Sequence, residues 1–196
     1  MYKIFITQLN WPLQSPDPKY ISQLNISTVK RHKSIHNLIK ILIIMFFVGM
    51  MSLEASAQKQ AETIPKFIFY RLDKTPFTNR NLIEGKKKLF ILFDVTCDHC
   101  QKVIISLNKR INECNKTSVY LVTLDDKIAV NTFLNQYGKK LIFSKNVTIL
   151  QDSKNQFITI FGPRKYPSVF LYSAQQKLIL YSDEDQYLEK FFKFII

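Results

Sequence analysis

The chain has 196 residues, 46% of them hydrophobic and 13% aromatic, with only four glycines and a formal charge of +13. That is enough for one well-packed domain of ordinary size plus a tail, and it excludes a fibrous or disordered protein. The basic residues are scattered, and no basic helix carries interleaved aromatics, so the charge does not signal nucleic-acid binding; Lys86-Lys87-Lys88 reads as a solvated loop ahead of a buried strand.

Residues 1–28 hold Pro12, Pro16 and Pro18 without a domain-like pattern. They are expected to be a disordered extension or the product of a start assigned too early. From residue 29 the layout changes. Lys30-Arg31-His32-Lys33 and Lys40 precede an unbroken apolar run from Ile41 to Met51, and Ala55-Ser56-Ala57 puts small residues at −3 and −1 before Gln58. Segment 29–57 therefore reads as a secretory signal peptide. Its apolar run is short of the roughly 20 residues a membrane span needs. Leu38, Ile39 and Leu53 extend it enough to keep an uncleaved anchor through 38–53 as an alternative. Export implies an extracytoplasmic, oxidising compartment.

Further along, Phe67 to Leu72 reads as a short strand followed by a polar turn through Asp73 to Pro76. Leu89 to Val95 is a continuous apolar run with one acid, the pattern of a central strand buried on both faces. Val103, Ile104, Leu107 and Ile111 then recur at helical spacing, predicting a helix over Asp98 to Glu113. Val119 to Leu124 is a second buried strand, and Asp125-Asp126 caps a helix carrying Ile128, Val130, Phe133 and Leu134 that Gly138 ends. Val147 to Leu150 is expected as a short edge strand and Gln156 to Phe161 as a short helix stopped by Gly162-Pro163. Ser168 to Tyr172 and Lys177 to Tyr181 form a hairpin, and Asp183-Glu184-Asp185 opens a C-terminal helix with Tyr187, Leu188, Phe191 and Phe192 along one side. The order β, β-α-β-α, β-β-α implies an α/β domain over 64–196, a central mixed sheet flanked by helices on both faces.

The segment that carries chemistry is Cys97-Asp98-His99-Cys100, where the Leu89–Val95 run gives way to a helix. Alone, Cys-x-x-Cys serves as half a zinc site, a structural disulfide or a redox pair. Past the signal-like segment the other ligands of a zinc centre would be Cys114 and His99, but His99 lies between the first two cysteines, and seventeen helical residues separate Cys97 from Cys114 by about 25 Å. No metal site is expected, and Cys114 reads as a buried small hydrophobe. A redox pair fits better. The unpaired amides and positive end of a helix N-terminus favour a thiolate, making Cys97 the nucleophile and Cys100, one turn in, the resolving thiol. His99, when protonated, favours that thiolate and Asp98 opposes it, so both are expected to tune the pair.

A buried strand leading into Cys97-Asp98-His99-Cys100-Gln101, followed some 70 residues later by Tyr166-Pro167-Ser168 at the head of a hairpin, resembles the thioredoxin fold. Within that superfamily it is similar to the exported redoxin-type proteins of the TlpA/ResA-like group. The resemblance runs from about Ile64 to Phe194. It implies a thiol–disulfide oxidoreductase acting on protein disulfides or dithiols, with a membrane or extracytoplasmic redox partner and no cofactor beyond the cysteine pair. It also implies a cis Tyr166-Pro167 bond facing the cysteines, with Tyr166 offering its backbone to an extended substrate. Three positions depart from the better-known thioredoxins. Thr96 replaces the tryptophan before the first cysteine, Ile91 stands where a proton-transferring aspartate is buried, and Ser168 follows the proline in place of threonine. Asp94 is a candidate substitute for the missing carboxylate. The peroxiredoxin pattern Pro-x-x-x-Thr-x-x-Cys is absent, since Thr96 adjoins Cys97. The competing reading is a non-catalytic binding module with a structural disulfide.

Overall fold

In the computed structural model, residues 36–46 and 59–195 are described. They fall in two separate units, Met1–Ser56 and Ala57–Ile196. In the first, residues 36–46 form a helix, α1, whose large apolar side chains, Leu38 to Phe46, are exposed. Among the described residues no helix is long and apolar enough to cross a membrane. The expected extension 1–28 and most of segment 29–57, including Ala55-Ser56-Ala57, lie outside the described residues.

The second unit is built on a seven-stranded mixed sheet. Its strands are β1 (Ile68–Arg71), β2 (Pro76–Thr78), β3 (Lys87–Leu92), β4 (Thr117–Thr123), β5 (Val147–Gln151), β6 (Ser168–Tyr172) and β7 (Leu178–Ser182), in the order β2-β1-β5-β4-β3-β6-β7. β3, β4 and β5 run parallel, and the other pairings are antiparallel. The two strands with the longest apolar runs, β3 and β4, sit side by side near the middle, as burial on both faces requires. Three expectations about the strands are corrected. Lys87 and Lys88 are not solvated loop but the start of β3, with Lys88 buried. Val147 to Leu150 is not at an edge, because β1 returns antiparallel alongside it, pairing Tyr70 with Gln151 and Arg71 with Leu150. The turn after β1 leads into the unexpected β2, too short for its single inward residue, Phe77, to show a period.

Strand alternation divides the interior into two cores of different chemistry. Leu89, Ile91, Val119, Leu121, Val169 and Leu171 point to an aliphatic side. Phe90, Tyr120, Phe170 and Tyr172, one residue along, point to an aromatic side with Phe67, Phe69, Phe77, Phe157 and Phe161. On the aliphatic side lie α2 (Asp98–Arg110), α3 (Lys127–Tyr137), α4 (Lys139–Phe143) and α6 (Leu188–Ile195). On the aromatic side lies α5 (Gln156–Phe161), whose Phe157 and Phe161 rings stack at 4.1 Å.

α2 buries Cys100, Val103, Ile104 and Leu107, spaced i, i+3, i+4 and i+7. It ends three residues before the expected Glu113, the last turn tightening to a 3-10 turn over Ile111–Glu113. Asp126 caps α3, accepting from the amides of Ile128 and Ala129. Gly138 ends it with φ −137°, so what calls for glycine there is space: a Cβ would lie 2.9 Å from Ile104 Cγ2 on α2. Gly162 needs both space and freedom, with φ +69° and the Lys59 carbonyl oxygen 2.5 Å from where a Cβ would stand.

Candidate functional site

The loop from β3 to α2 is tied at nearly every residue. Phe93 N–H donates to the Val122 carbonyl of β4, and Val95 N–H donates to the Asp125 carboxylate. Asp94 Oδ1 accepts from both the amide and the hydroxyl of Thr96, at 2.7 and 2.6 Å. Cys97 N–H then donates back to the Asp94 carbonyl. The chain thus enters α2 with Cys97 as its N-cap, the position where a side-chain acceptor meets otherwise unpaired amides.

At that cap the sulfur does what an oxygen ordinarily does: Cys97 Sγ accepts from the Cys100 amide at 3.4 Å. Cys97 is partly exposed. Cys100 has no exposed surface and packs among Leu89, Ile91 and Val103. Burial pushes the Cys100 thiol far above its ordinary range, and the adjoining Cys97 and the charge of Asp94 push the same way. The Asp94 amide, at 3.5 Å from Cys100 Sγ, is the one contact that opposes them, second in size only to burial. A neutral, buried thiol therefore stands behind a partly exposed sulfur at a helix N-terminus.

Asp98 and His99 are exposed on the first turn. Asp98 Oδ1 accepts from the Gln101 side chain at 3.5 Å. His99 Nδ1 lies 2.9 Å from Asp185 Oδ2, and Lys102 Nζ lies 3.1 Å from the same oxygen. The His99 contact first, and then Lys102, hold the Asp185 carboxyl down to about 2. Asp185 opens the 3-10 turn Asp185–Tyr187 that leads into α6. It was legible in the sequence only as part of an acidic helix start; its contact with a residue 86 positions away was not.

The Tyr166-Pro167 bond is cis. Pro167 is buried, and Tyr166 is half-buried against the core that contains Cys100. Burial raises the Tyr166 phenol, and the charges of Asp94 and Asp125 reinforce it. Behind it, Ser168 Oγ donates to the Lys165 carbonyl at 2.7 Å, and the Tyr181 hydroxyl of β7 meets both Ser168 Oγ and the Arg164 amide. Between this loop and the start of α2 runs a groove of about 350 Å³, lined by His99, Lys165, Tyr166, Glu184 and Asp185 among others. A larger groove, beside Lys66, Ile68, Arg80 and Gln156, has no cysteine or histidine in its lining.

Ile91 is fully buried in the aliphatic core. Cys114, at the far end of the α2 region, is buried with its sulfur against the Arg110 carbonyl. Among the described residues no group of three or more His, Cys, Asp or Glu side chains is gathered to hold a metal.

The model of the AhpC/TSA family matches residues 61–181. No curated protein matches the chain in sequence. Among solved structures, DsbF of MTB, in mixed oxidized and reduced forms, superposes with a TM-score of 0.55 at 19% identity, covering 68% of this chain and 100% of that one. The thioredoxin domain of a thiol-disulfide oxidoreductase from Bacteroides vulgatus gives 0.55 at 17% identity, covering 70% and 99%. A thiol peroxidase from Chromobacterium violaceum gives 0.52 at 14%, covering 69% and 86%. At these identities the likeness is one of fold, and the fold is thioredoxin-like.

Proposed function

This chain belongs to the AhpC/TSA family, and on that premise we propose that it is a thiol–disulfide oxidoreductase of the TlpA/ResA-like kind, working outside the cytoplasm on protein disulfides. The observation that carries the proposal is the asymmetry of the cysteine pair. Cys97 is accessible and caps α2, whereas Cys100 is sealed in the core with its amide aimed at the Cys97 sulfur.

In the reducing direction the Cys97 thiolate attacks one sulfur of a substrate disulfide. A mixed disulfide forms, and the other substrate sulfur leaves as a thiolate. Cys100 then gives up its proton and attacks Cys97 Sγ, so that the Cys97–Cys100 disulfide forms and the second substrate sulfur leaves. The substrate gains two electrons, the pair loses two, and an external dithiol restores the pair. Run backwards, the same steps oxidise a substrate dithiol. Asp94 is the proposed acceptor of the Cys100 proton, a role supported by its amide at Cys100 Sγ and by the action of its charge on that thiol. Tyr166 and Pro167 are the proposed substrate-binding residues, Tyr166 offering its backbone to an extended segment; the cis bond between them and the place of Tyr166 against the core that contains Cys100 support this. Asp98 and His99 tune the potential through their charges.

The basic, apolar and small-residue layout of 29–57 supports export, with cleavage or an anchor through 38–53 as the two outcomes. The redox partner is then a membrane or extracytoplasmic dithiol protein, and the proposal needs no nucleic acid, metal or organic cofactor. Peroxide reduction is disfavoured by the residues themselves: Asp94 stands three positions before Cys97 and Phe90 seven before it, where the peroxidatic pattern has threonine and proline.

The test is reduction of insulin disulfides by the full chain with dithiothreitol as electron source. Turnover that disappears in Cys97→Ser, with the fold intact by circular dichroism, is the expected result. A wild-type protein that folds and binds partners without turnover would overturn the reading in favour of a binding module.

A further inference from the structure

Four side chains of α2, His99, Lys102, Ser106 and Arg110, are spaced three, four and four residues apart and so form one ridge along the helix. Each of them meets the C-terminal segment. His99 and Lys102 meet Asp185, while Ser106 Oγ and Arg110 Nη1 meet Glu189 at 3.1 and 2.9 Å. Arg110 also lies over the Phe192 ring, 4.0 Å from its centre. Only the first of these contacts involves a residue inside the cysteine loop.

The segment is held by more than its polar contacts. Leu188, Phe191, Phe192 and Ile195 are buried in the aliphatic core together with Val103 and Leu107. Asp185 therefore stands at a place fixed by packing, and His99 reaches over to it.

We infer that Asp185 is a positioning residue for His99, holding the imidazole on the groove side of the loop and so withholding it from the Cys97 sulfur. The inference rests on the thiol–disulfide reading and deepens it by naming what limits the influence of His99 on the nucleophile. With Nδ1 committed to Asp185 Oδ2 the ring cannot turn freely about its side-chain bonds. The Cys97 sulfur takes its hydrogen bond from the Cys100 amide instead.

The remaining charges around His99 do not duplicate this role. On α2 they are Asp98 and Lys102. On the Pro167 loop they are Lys165 and the Tyr166 phenol, and on the connection from β7 they are Asp183 and Glu184. Asp183 is taken by Arg164 at 2.9 Å, and Glu184 accepts from the Gln186 side-chain Nε2. Asp185 alone among these carboxylates is bonded to the His99 ring.

Freed from Asp185, a protonated His99 can approach the Cys97 thiolate and stabilise it. The experiment is the rate of Cys97 alkylation by iodoacetamide in mildly acidic buffer, in the full chain, Asp185→Asn, His99→Gln and the double variant. Removing a carboxylate speeds alkylation in either background through charge alone, and that part cancels in the cycle. The expected result is an excess of about fivefold for Asp185→Asn in the His99 background, the scale of one well-placed charge in a partly exposed site. Asp185→Glu should restore the wild-type rate. The equilibrium of the pair with glutathione should move with it, Asp185→Asn being the stronger oxidant. Equal effects in both backgrounds, or no effect, would overturn the inference. Alkylation requires no turnover, so a protein that fails to reduce insulin yet shows the coupling refutes the proposed function and leaves the positioning role standing.

Discussion

The Cys100 amide N–H donates to the sulfur of Cys97 across 3.4 Å, while the sulfur of Cys100 itself is enclosed by the aliphatic core. One residue thus supports its partner's charge with its backbone and keeps its own side chain neutral. In the native chain under reducing conditions, a brief iodoacetamide pulse at neutral pH should label Cys97 first among Cys97, Cys100 and Cys114, as read by peptide mass spectrometry. In a Cys100→Ser variant the Cys97 thiolate should still attack a substrate disulfide, one substrate sulfur leaving as a thiolate, and the mixed disulfide on Cys97 should accumulate. Equal labelling of Cys97 and Cys100 would contradict the assignment of roles.

Burial pushes the Cys114 thiol up to about 11, against an ordinary value near 8.5. The folded state therefore favours the neutral thiol. The stability this gives is fully present below about pH 8.5 and is lost as pH rises toward 11. Urea unfolding of the reduced chain should show a midpoint that falls over that window, and Cys114→Ala should flatten the fall. The same variant should cost about 1 kcal/mol at neutral pH through lost packing while leaving insulin reduction unchanged.

Asp185 behaves in the opposite sense. Its carboxyl, held down to about 2 chiefly by His99 and also by Lys102, is ionised in the folded state where the unfolded chain would already be protonated. The stabilisation is present above about pH 4 and lost as pH falls toward 2. Asp185→Asn should therefore lower the urea midpoint at pH 7 and leave it close to wild type at about pH 2. A deficit that stays constant down to that pH would mean that the ion pairs contribute nothing.

Two glycines should respond differently to alanine. At Gly138 the added Cβ meets movable side-chain ends, Ile104 Cγ2 at 2.9 Å and Leu134 Cδ2 at 3.0 Å, so Gly138→Ala should cost about 1–3 kcal/mol. At Gly162 the obstacle is the Lys59 carbonyl and φ is +69°, so Gly162→Ala should cost more than Gly138→Ala. Denaturant midpoints of the two variants decide the order.

What the sequence made legible is what local physics writes. β3, β4 and β6 are apolar runs buried on both faces, and the burial of α2 follows from the spacing of Val103, Ile104 and Leu107. β2 was missed because three residues with one inward phenylalanine carry no period. β5 was taken for an edge because its neighbour β1 lies far upstream in the chain, and periodicity says nothing about which strand lies beside which. The cysteine loop was readable as a strand-to-helix junction. The contacts that shape it, Val95 to Asp125 and His99 to Asp185, span 30 and 86 residues and are fixed only once the sheet and α6 have packed.

Cys100 shares its sulfur between two equilibria. As a member of the aliphatic core it contributes to folding, and in the proposed role of resolving thiol it would contribute to electron exchange. Folding and oxidation of one molecule close a thermodynamic cycle, so the gap between the unfolding free energies of the dithiol and disulfide forms must reappear as a displacement of the pair's reduction potential from that of the unfolded chain. Any substitution in the core cluster that holds Cys100, at Leu89 or Val103 for instance, that favours one form of the core over the other changes the electrochemistry by the same amount, with no contact to a substrate.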